Sequence, residues 1–350
     1  MIVAFILACF IALSALANPN FPDLRQKVIP VKHSSLAIDD DKVFVAGSEG
    51  IIRAFQLADD RKILWTARIS GLPRPFSSLV FDKNILYAST GDNVIYAIDA
   101  NQDKILWQKE LAGPIRGRIE LRDGIILLRS ASDIFYAISA EDGSILWTKG
   151  FFRDEIERSG SAPVLALDRM AILPQSSGVF SAVDIQTADV IWEQRLSNKD
   201  HPQLAYNTPM LLAYIGENKA VASEFSGRTA VLDTRDGSII WSDDLDAFFA
   251  AAADKDYVFL LSEHRLVSVQ VENGNMQWSV DLPGATTGLF LAGGADQYLW
   301  IVTRAGYLLK FDCSNGELLT GTKTISGAES IFIDDKLYLF NGDKLAIISG

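Results

Sequence analysis

The side chains best suited to chemistry are few and scattered. His33, His201 and His264 lie far apart and make no HxH or HExxH pattern, so their spacing supports no zinc site. Cys9 and Cys313 are the two cysteines. With Cys9 inside an apolar leader, the remaining thiol has no partner for an intramolecular disulfide. No glycine-rich loop precedes a helical pattern, which removes the usual phosphate cradle. Asp99, Asp184, Asp233 and Asp312 recur at strand ends, where a carboxylate serves local turn hydrogen bonds. What these residue types do support is recognition. Residues 149–163 hold Phe151, Phe152, Arg153, Ile156 and Arg158, and residues 196–209 hold His201, Leu204 and Tyr206. Aromatic side chains beside arginine have the composition of interface hot spots.

Those two segments interrupt a repeat. Trp65, Trp107, Trp147, Trp192, Trp241 and Trp278 recur after a pair such as Ile-Leu, at spacings of 42, 40, 45, 49 and 37 residues. The longest spacings surround the fourth repeat and are accounted for by the two long segments. A second mark lies ten or eleven residues before each tryptophan: Ala54, Ala97, Ala137, Ala182, Val231 and Ser268. The same register places Leu309 before Leu319 in a seventh repeat without its tryptophan, and Ala346 in an eighth. A large ring in fixed register, opposite a small residue, reads as a packing device between neighbouring repeats. A stacking platform for a sugar or nucleotide is the competing reading.

Each repeat is written in strands. ILYAST, VIYAID and KILWQK are short runs rich in Ile, Val, Leu and Tyr. Asp142-Gly143, Asp236-Gly237, Asn273-Gly274 and Asn315-Gly316 occupy one common turn, where positive φ is needed. With a preceding strand such as SSLAIDD, each unit has four antiparallel strands, one blade of a propeller. The last repeat lacks its fourth strand, and residues 26–31 are an orphan strand before the first repeat. The expectation is an all-β, eight-bladed β-propeller of four-stranded antiparallel blades, the last blade closed by the N-terminal strand, as one domain over residues 24–350.

The chain carries 44 acidic and 32 basic side chains, a net charge of −12. That balance repels nucleic acid and anionic lipid headgroups. Residues 1–17 are uncharged and end in Ala15-Leu16-Ala17, a small-x-small cleavage signal. They are short for a bilayer span, which takes about 20 apolar residues. The reading is a cleaved signal peptide, with residues 18–23 as a short tail. Lipidation at Cys9 is the alternative, and either way the chain is destined for export.

YAIDANQDKILW and YAISAEDGSILW resemble the tryptophan-docking repeats of pyrroloquinoline-quinone (PQQ) propellers. Within that superfamily, Arg158-Ser159-Gly160-Ser161-Ala162-Pro163, then Ile191 to Ser197, then Asn207-Thr208-Pro209, are similar in order and spacing to the BamB family. The resemblance implies a non-enzymatic scaffold without cofactor, on the periplasmic side of the outer membrane, in the β-barrel assembly (BAM) complex. It implies BamA POTRA domains as partner, with unfolded outer-membrane proteins as further candidates, and membrane contact through the partner or a lipid anchor. Arg158 matches the family's BamA-contacting arginine. Phe152, Arg153, Ile156, Leu204 and Tyr206 join it as partner-binding candidates. Glu155 and Glu157 stand where the family has leucines, so Arg158 has two readings, a partner anchor or a loop brace paired to those acids. Alternatives for the whole chain are an extracytoplasmic propeller binding another protein or a small ligand, or a PQQ-dependent dehydrogenase. The dehydrogenases are longer and often carry adjacent cysteines, which are absent here.

Overall fold

The computed structural model describes residues 25–30, 35–38, 42–47, 50–56, 63–69, 76–91, 93–151, 162–196, 209–292, 297–324, 329–333, 336–341 and 344–349. The strands assemble into eight four-stranded antiparallel sheets. Seven take four strands consecutive in sequence, spanning 35–68, 76–110, 115–150, 165–195, 209–244, 250–281 and 286–323. In the eighth, Arg25–Pro30 pairs with Lys344–Ser349, beyond Lys336–Asn341 and Glu329–Ile333.

The expectation of a closed eight-bladed propeller is corrected. The chain divides into two compact units, residues 31–249 with five sheets and residues 1–30 with 250–350 with three. Among the described residues, no sheet closes on itself or pairs with another. The physical reason lies in where the hydrogen bonds go: each sheet completes its ladders among its own four strands and keeps two free edges. Among the described residues, adjacent sheets within a unit are therefore joined mainly by side chains, with single backbone hydrogen bonds such as Ala162 to Pro209 and Thr286 to Glu263.

In the five-sheet unit those joints are layers of buried apolar side chains. Phe44, Ile52, Leu86 and Ile98 pack between the first and second sheets. Ile95, Ile126, Leu128 and Ile138 do so between the second and third. Phe135, Leu173 and Val183 belong to the third and fourth, and Phe180, Trp192, Leu212 and Leu232 to the fourth and fifth. In the first seven sheets the second and third strands are largely buried, as over Leu86–Thr90, because both faces are covered. The fourth strands alternate and are largely exposed, as edge strands do.

The tryptophans stand where the repeat places them, and the small residue is their cross-strand partner: Ala54 with Trp65, Ala97 with Trp107, Ala137 with Trp147, Ala182 with Trp192, Val231 with Trp241 and Ser268 with Trp278. A register shift follows each pair, so the next residue inward does not compete for space. Two assignments move by one residue. In the seventh sheet Lys310, not Leu309, pairs with Thr320, not Leu319. In the eighth, Tyr338 pairs with Ile347, which takes the place given to Ala346. Without a tryptophan in either repeat, the sequence offered no anchor for the register.

Candidate functional site: the docking turns and the roots of two long loops

Five indoles cross to the next sheet and hydrogen-bond the turn between its third and fourth strands. Trp65 Nε1 donates to the Ala100 carbonyl at 2.6 Å, Trp107 to Ala140 at 3.0 Å, Trp147 to Ile185 at 2.6 Å and Trp192 to Thr234 at 2.9 Å. In the three-sheet unit Trp278 donates to Cys313 at 2.9 Å. The ring itself covers the turn glycine. A Cβ added to Gly143 would lie 2.6 Å from Trp107, to Gly237 2.4 Å from Trp192, and to Gly316 2.7 Å from Trp278. These glycines therefore answer two demands, a left-handed φ and a flat ring against the backbone. Trp65, Trp107, Trp147, Trp192 and Trp278 dock one sheet on a neighbouring turn, and the polar end of each of these dockings is satisfied within the protein.

The turn aspartates behave as their positions imply. Asp99 accepts from the Asn101 and Gln102 amides, Asp184 from Gln186 and Thr187, Asp233 from Arg235 and Asp312 from Ser314. Hydrogen bonds to the charged form hold the carboxyls of Asp184 and Asp312 below the usual carboxylate range, and the Arg235 guanidinium does so first for Asp233. Burial, with Asp254 and Asp312 nearby, pushes the Cys313 thiol up to about 12, which removes it as a nucleophile near neutral pH. Among the described residues, no group of three or more His, Cys, Asp or Glu side chains is placed to hold a metal ion.

The candidate partner-binding residues Phe152, Arg153, Ile156, Arg158, Leu204 and Tyr206 lie outside the described residues, as does His201. The roots of both segments are described, and they converge. Ala162, where the first segment ends, is buried and its amide donates to the carbonyl of Pro209, where the second ends, at 3.2 Å. Leu196, at the start of the second, is buried in the same apolar layer as Ala162 and Leu212. Phe151, at the start of the first, meets Phe135 edge-on with centroids 5.7 Å apart, and its amide donates to the Asp133 carbonyl at 3.4 Å.

Asp133 leads to a buried constellation that the sequence reading missed. Arg129 and Asp133 are 2% and 1% exposed, and their guanidinium and carboxylate form an ion pair. Arg129 Nη2 also donates to Ser176 Oγ at 2.7 Å, while the Ser176 amide donates to Asp133 Oδ2 at 2.7 Å. The guanidinium lies over the Phe135 ring, 5.5 Å from its centroid. The pair ties a turn of the third sheet to one of the fourth, directly beneath the root of the first long segment. A signal was available: Asp133 occupies, with φ of 56°, the left-handed turn position held by Gly50, Gly178 and Gly227 in other repeats. A charged residue in a glycine's place needs its own reason.

The fold and these dockings define a protein of tryptophan-docked β-propeller repeats, in which described ends of the two longest connections meet. Residues 48–280 match the family described as outer membrane protein assembly factor BamB. Similar relatives include the BamB proteins of Moranella endobia, 25% identical over 89% of this chain and 81% of that one, and Salmonella typhimurium, 27% identical over 81% and 80%. The crystal structure of BamB from Moraxella catarrhalis superposes with a TM-score of 0.80 over 93% of this chain and all of that one, at 17% identity. The chain belongs to the BamB family. Its role is accordingly the BamB-like one of a non-enzymatic scaffold.

Proposed function

We propose that this chain is a scaffold of the BAM complex on the periplasmic side of the outer membrane, and that its two long segments form the surface that engages the POTRA domains of BamA. Arg158 is the anchor in this reading, with Phe152, Arg153, Ile156, Leu204 and Tyr206 around it. Family membership supports the complex. The observation that carries the choice of surface is the Ala162 to Pro209 hydrogen bond, which joins the ends of two segments far apart in sequence. Buried roots hold a recognition loop in place at little cost in ordering on binding. A guanidinium with five donors in a rigid fork suits carboxylates or exposed strand carbonyls on the partner. Residues 1–17 serve as the export signal, and cleavage after Ala17 leaves the mature chain free of Cys9.

Arg158→Ala tests the reading. Loss of an interface anchor lowers the affinity for detergent-solubilised BamA by about 2 kcal/mol, with an unchanged melting temperature. A folded variant that binds BamA like the parent refutes Arg158 as anchor and leaves the loop-brace reading.

A further inference from the structure

The strand Ile115–Arg122 opens the third sheet and forms one of its edges. Its pairing with Ile125–Ser130 breaks in an unusual way. Arg116 faces Arg129 and Glu120 faces Leu127, so residues 117–119 stand against Leu128 alone. In the second, fifth and seventh sheets the corresponding step leaves over one residue, Ser77, Met210 and Thr287 respectively. Here it leaves two. Gly117 takes a φ of +74°, and the Ile119 amide donates to Ser78 Oγ of the second sheet at 3.1 Å, which pins the bulge. The outcome is three consecutive exposed residues, Arg116, Gly117 and Arg118, on a strand whose flanking Ile115 and Ile119 are buried. Bulges re-aim side chains in this manner.

The guanidiniums of these two arginines are not tied into an ion pair. Arg122, on the same strand, is paired with Asp168. Among the described residues, neither the Arg116 nor the Arg118 guanidinium has a hydrogen bond or ion pair. Glu120 is near enough to Arg118 for the guanidinium to lower its carboxyl, though burial raises it more, and the two make no ion pair. Two free guanidiniums therefore stand together on a chain of net charge −12. Their position is specific. A Cβ on Gly117 would meet the Cα of Pro163 at 3.9 Å, directly after the segment that carries Arg153 and Arg158.

We infer that Arg116 and Arg118 are an acid-binding extension of the partner surface, contacting an Asp- or Glu-bearing segment of the protein that the long loops engage. Guanidiniums pair bidentately with carboxylates, and a local positive patch on an acidic protein steers an acidic partner to one place. The identity of that partner rests on the proposed function; the acid-binding character does not.

The test compares Arg116→Glu/Arg118→Glu with a control of equal net charge, Lys104→Glu/Lys255→Glu, which reverses two exposed lysines elsewhere. Binding to detergent-solubilised BamA is measured at several salt concentrations, and melting temperature alongside. The expected result is an affinity about ten-fold weaker at low salt, with a flatter salt dependence, for the arginine variant only. If charge reversal disturbs the bulge, Arg116→Gln/Arg118→Gln gives the same comparison without repulsion. BamA binding by the parent that the arginine variants match in affinity and salt dependence overturns the inference and leaves the proposed function standing. Should the parent not bind BamA, the proposed function falls, and a deca-glutamate peptide decides the inference: weaker binding by the arginine variants than by the control upholds it, and equal binding overturns it.

Discussion

Trp278 and Thr320 occupy the same place in neighbouring sheets, each opposite the residue that precedes a register shift. Trp278 reaches across and binds the Cys313 carbonyl, its ring flat on Gly316. Thr320 reaches nothing: its buried hydroxyl has no hydrogen-bond partner among the described residues. Opposite it stands Lys310 in place of a small residue, its ammonium 3.5 Å from the Tyr298 ring centroid and 5.5 Å from that of Trp300. The comparison teaches that the docking is a set of linked choices. Large ring, small cross-strand partner and flat receiving turn come together, and where the ring is missing the other positions drift.

The largest effect should come from removing a docked ring. Trp107→Ala is expected to cost ~3–5 kcal/mol in chemical denaturation, because it empties a layer and removes one of the two donors to the Ala140 carbonyl, leaving only the Tyr87 hydroxyl at 3.3 Å. Thr320→Val should cost nothing or stabilise slightly, since it removes an unpaired buried hydroxyl. A Trp107→Ala loss below about 1 kcal/mol would mean the ring is decoration rather than a joint.

The receiving turn can be separated from its backbone demand within one sheet. Gly143 and Gly124 have nearly equal φ, 72° and 76°, but only Gly143 lies under a ring, and nothing stands within 4 Å of a Cβ on Gly124. Gly124→Ala should cost about 1 kcal/mol for the left-handed backbone. Gly143→Ala should cost about 2 kcal/mol more, the price of overpacking against Trp107. Equal losses, read from urea midpoints, would show that the ring simply moves aside.

Ala188 sharpens the same point from the other direction. It sits in the docking turn under Trp147's sheet with φ of 62°, where other repeats have glycine. Ala188→Gly should stabilise by about 0.5 kcal/mol, the backbone relief less the added chain entropy. A small destabilisation would indicate that the methyl contributes packing.

The pH dependence should be modest and two-sided. Asp142, Asp184, Asp233, Asp236 and Asp312 are held below their ordinary value of 3.8, so their contribution is present above that pH and is lost as pH falls through the lowered values. Cys313 is raised from 9.0 to about 12, so its contribution is full below pH 9 and is lost as pH rises toward 12. Melting curves from pH 3 to 11 should therefore show a plateau between these limits. A Cys313→Ala variant should lose the alkaline slope in part.

Much of the local design was legible in the residues. Period-forty tryptophans, small partners and Asp-Gly turns mark strands, their pairing and their turns, because each depends on neighbours within one repeat. The turn role of Asp99, Asp184, Asp233 and Asp312 was equally local. The seventh and eighth registers were not legible, since Thr320 and Ile347 carry no recognisable mark. The Arg129–Asp133–Ser176 constellation escaped for another reason: its members lie on two sheets, and only packing brings a serine 43 residues away onto the aspartate.

The sequence by itself determined an all-β repeat, its strand content and the residues that dock one sheet on the next, because a side-chain period and a turn's φ are properties of short stretches. Tertiary structure decided the rest. It set the division into two compact units and tied Ala162 to Pro209 at the roots of separate segments. It also buried Arg129 with Asp133 while leaving Arg116 and Arg118 exposed on a bulge. Four arginines in two neighbouring strands look alike in sequence. Which are paired and which are free depends on what the adjacent sheet places against them, and no spacing within one strand encodes that.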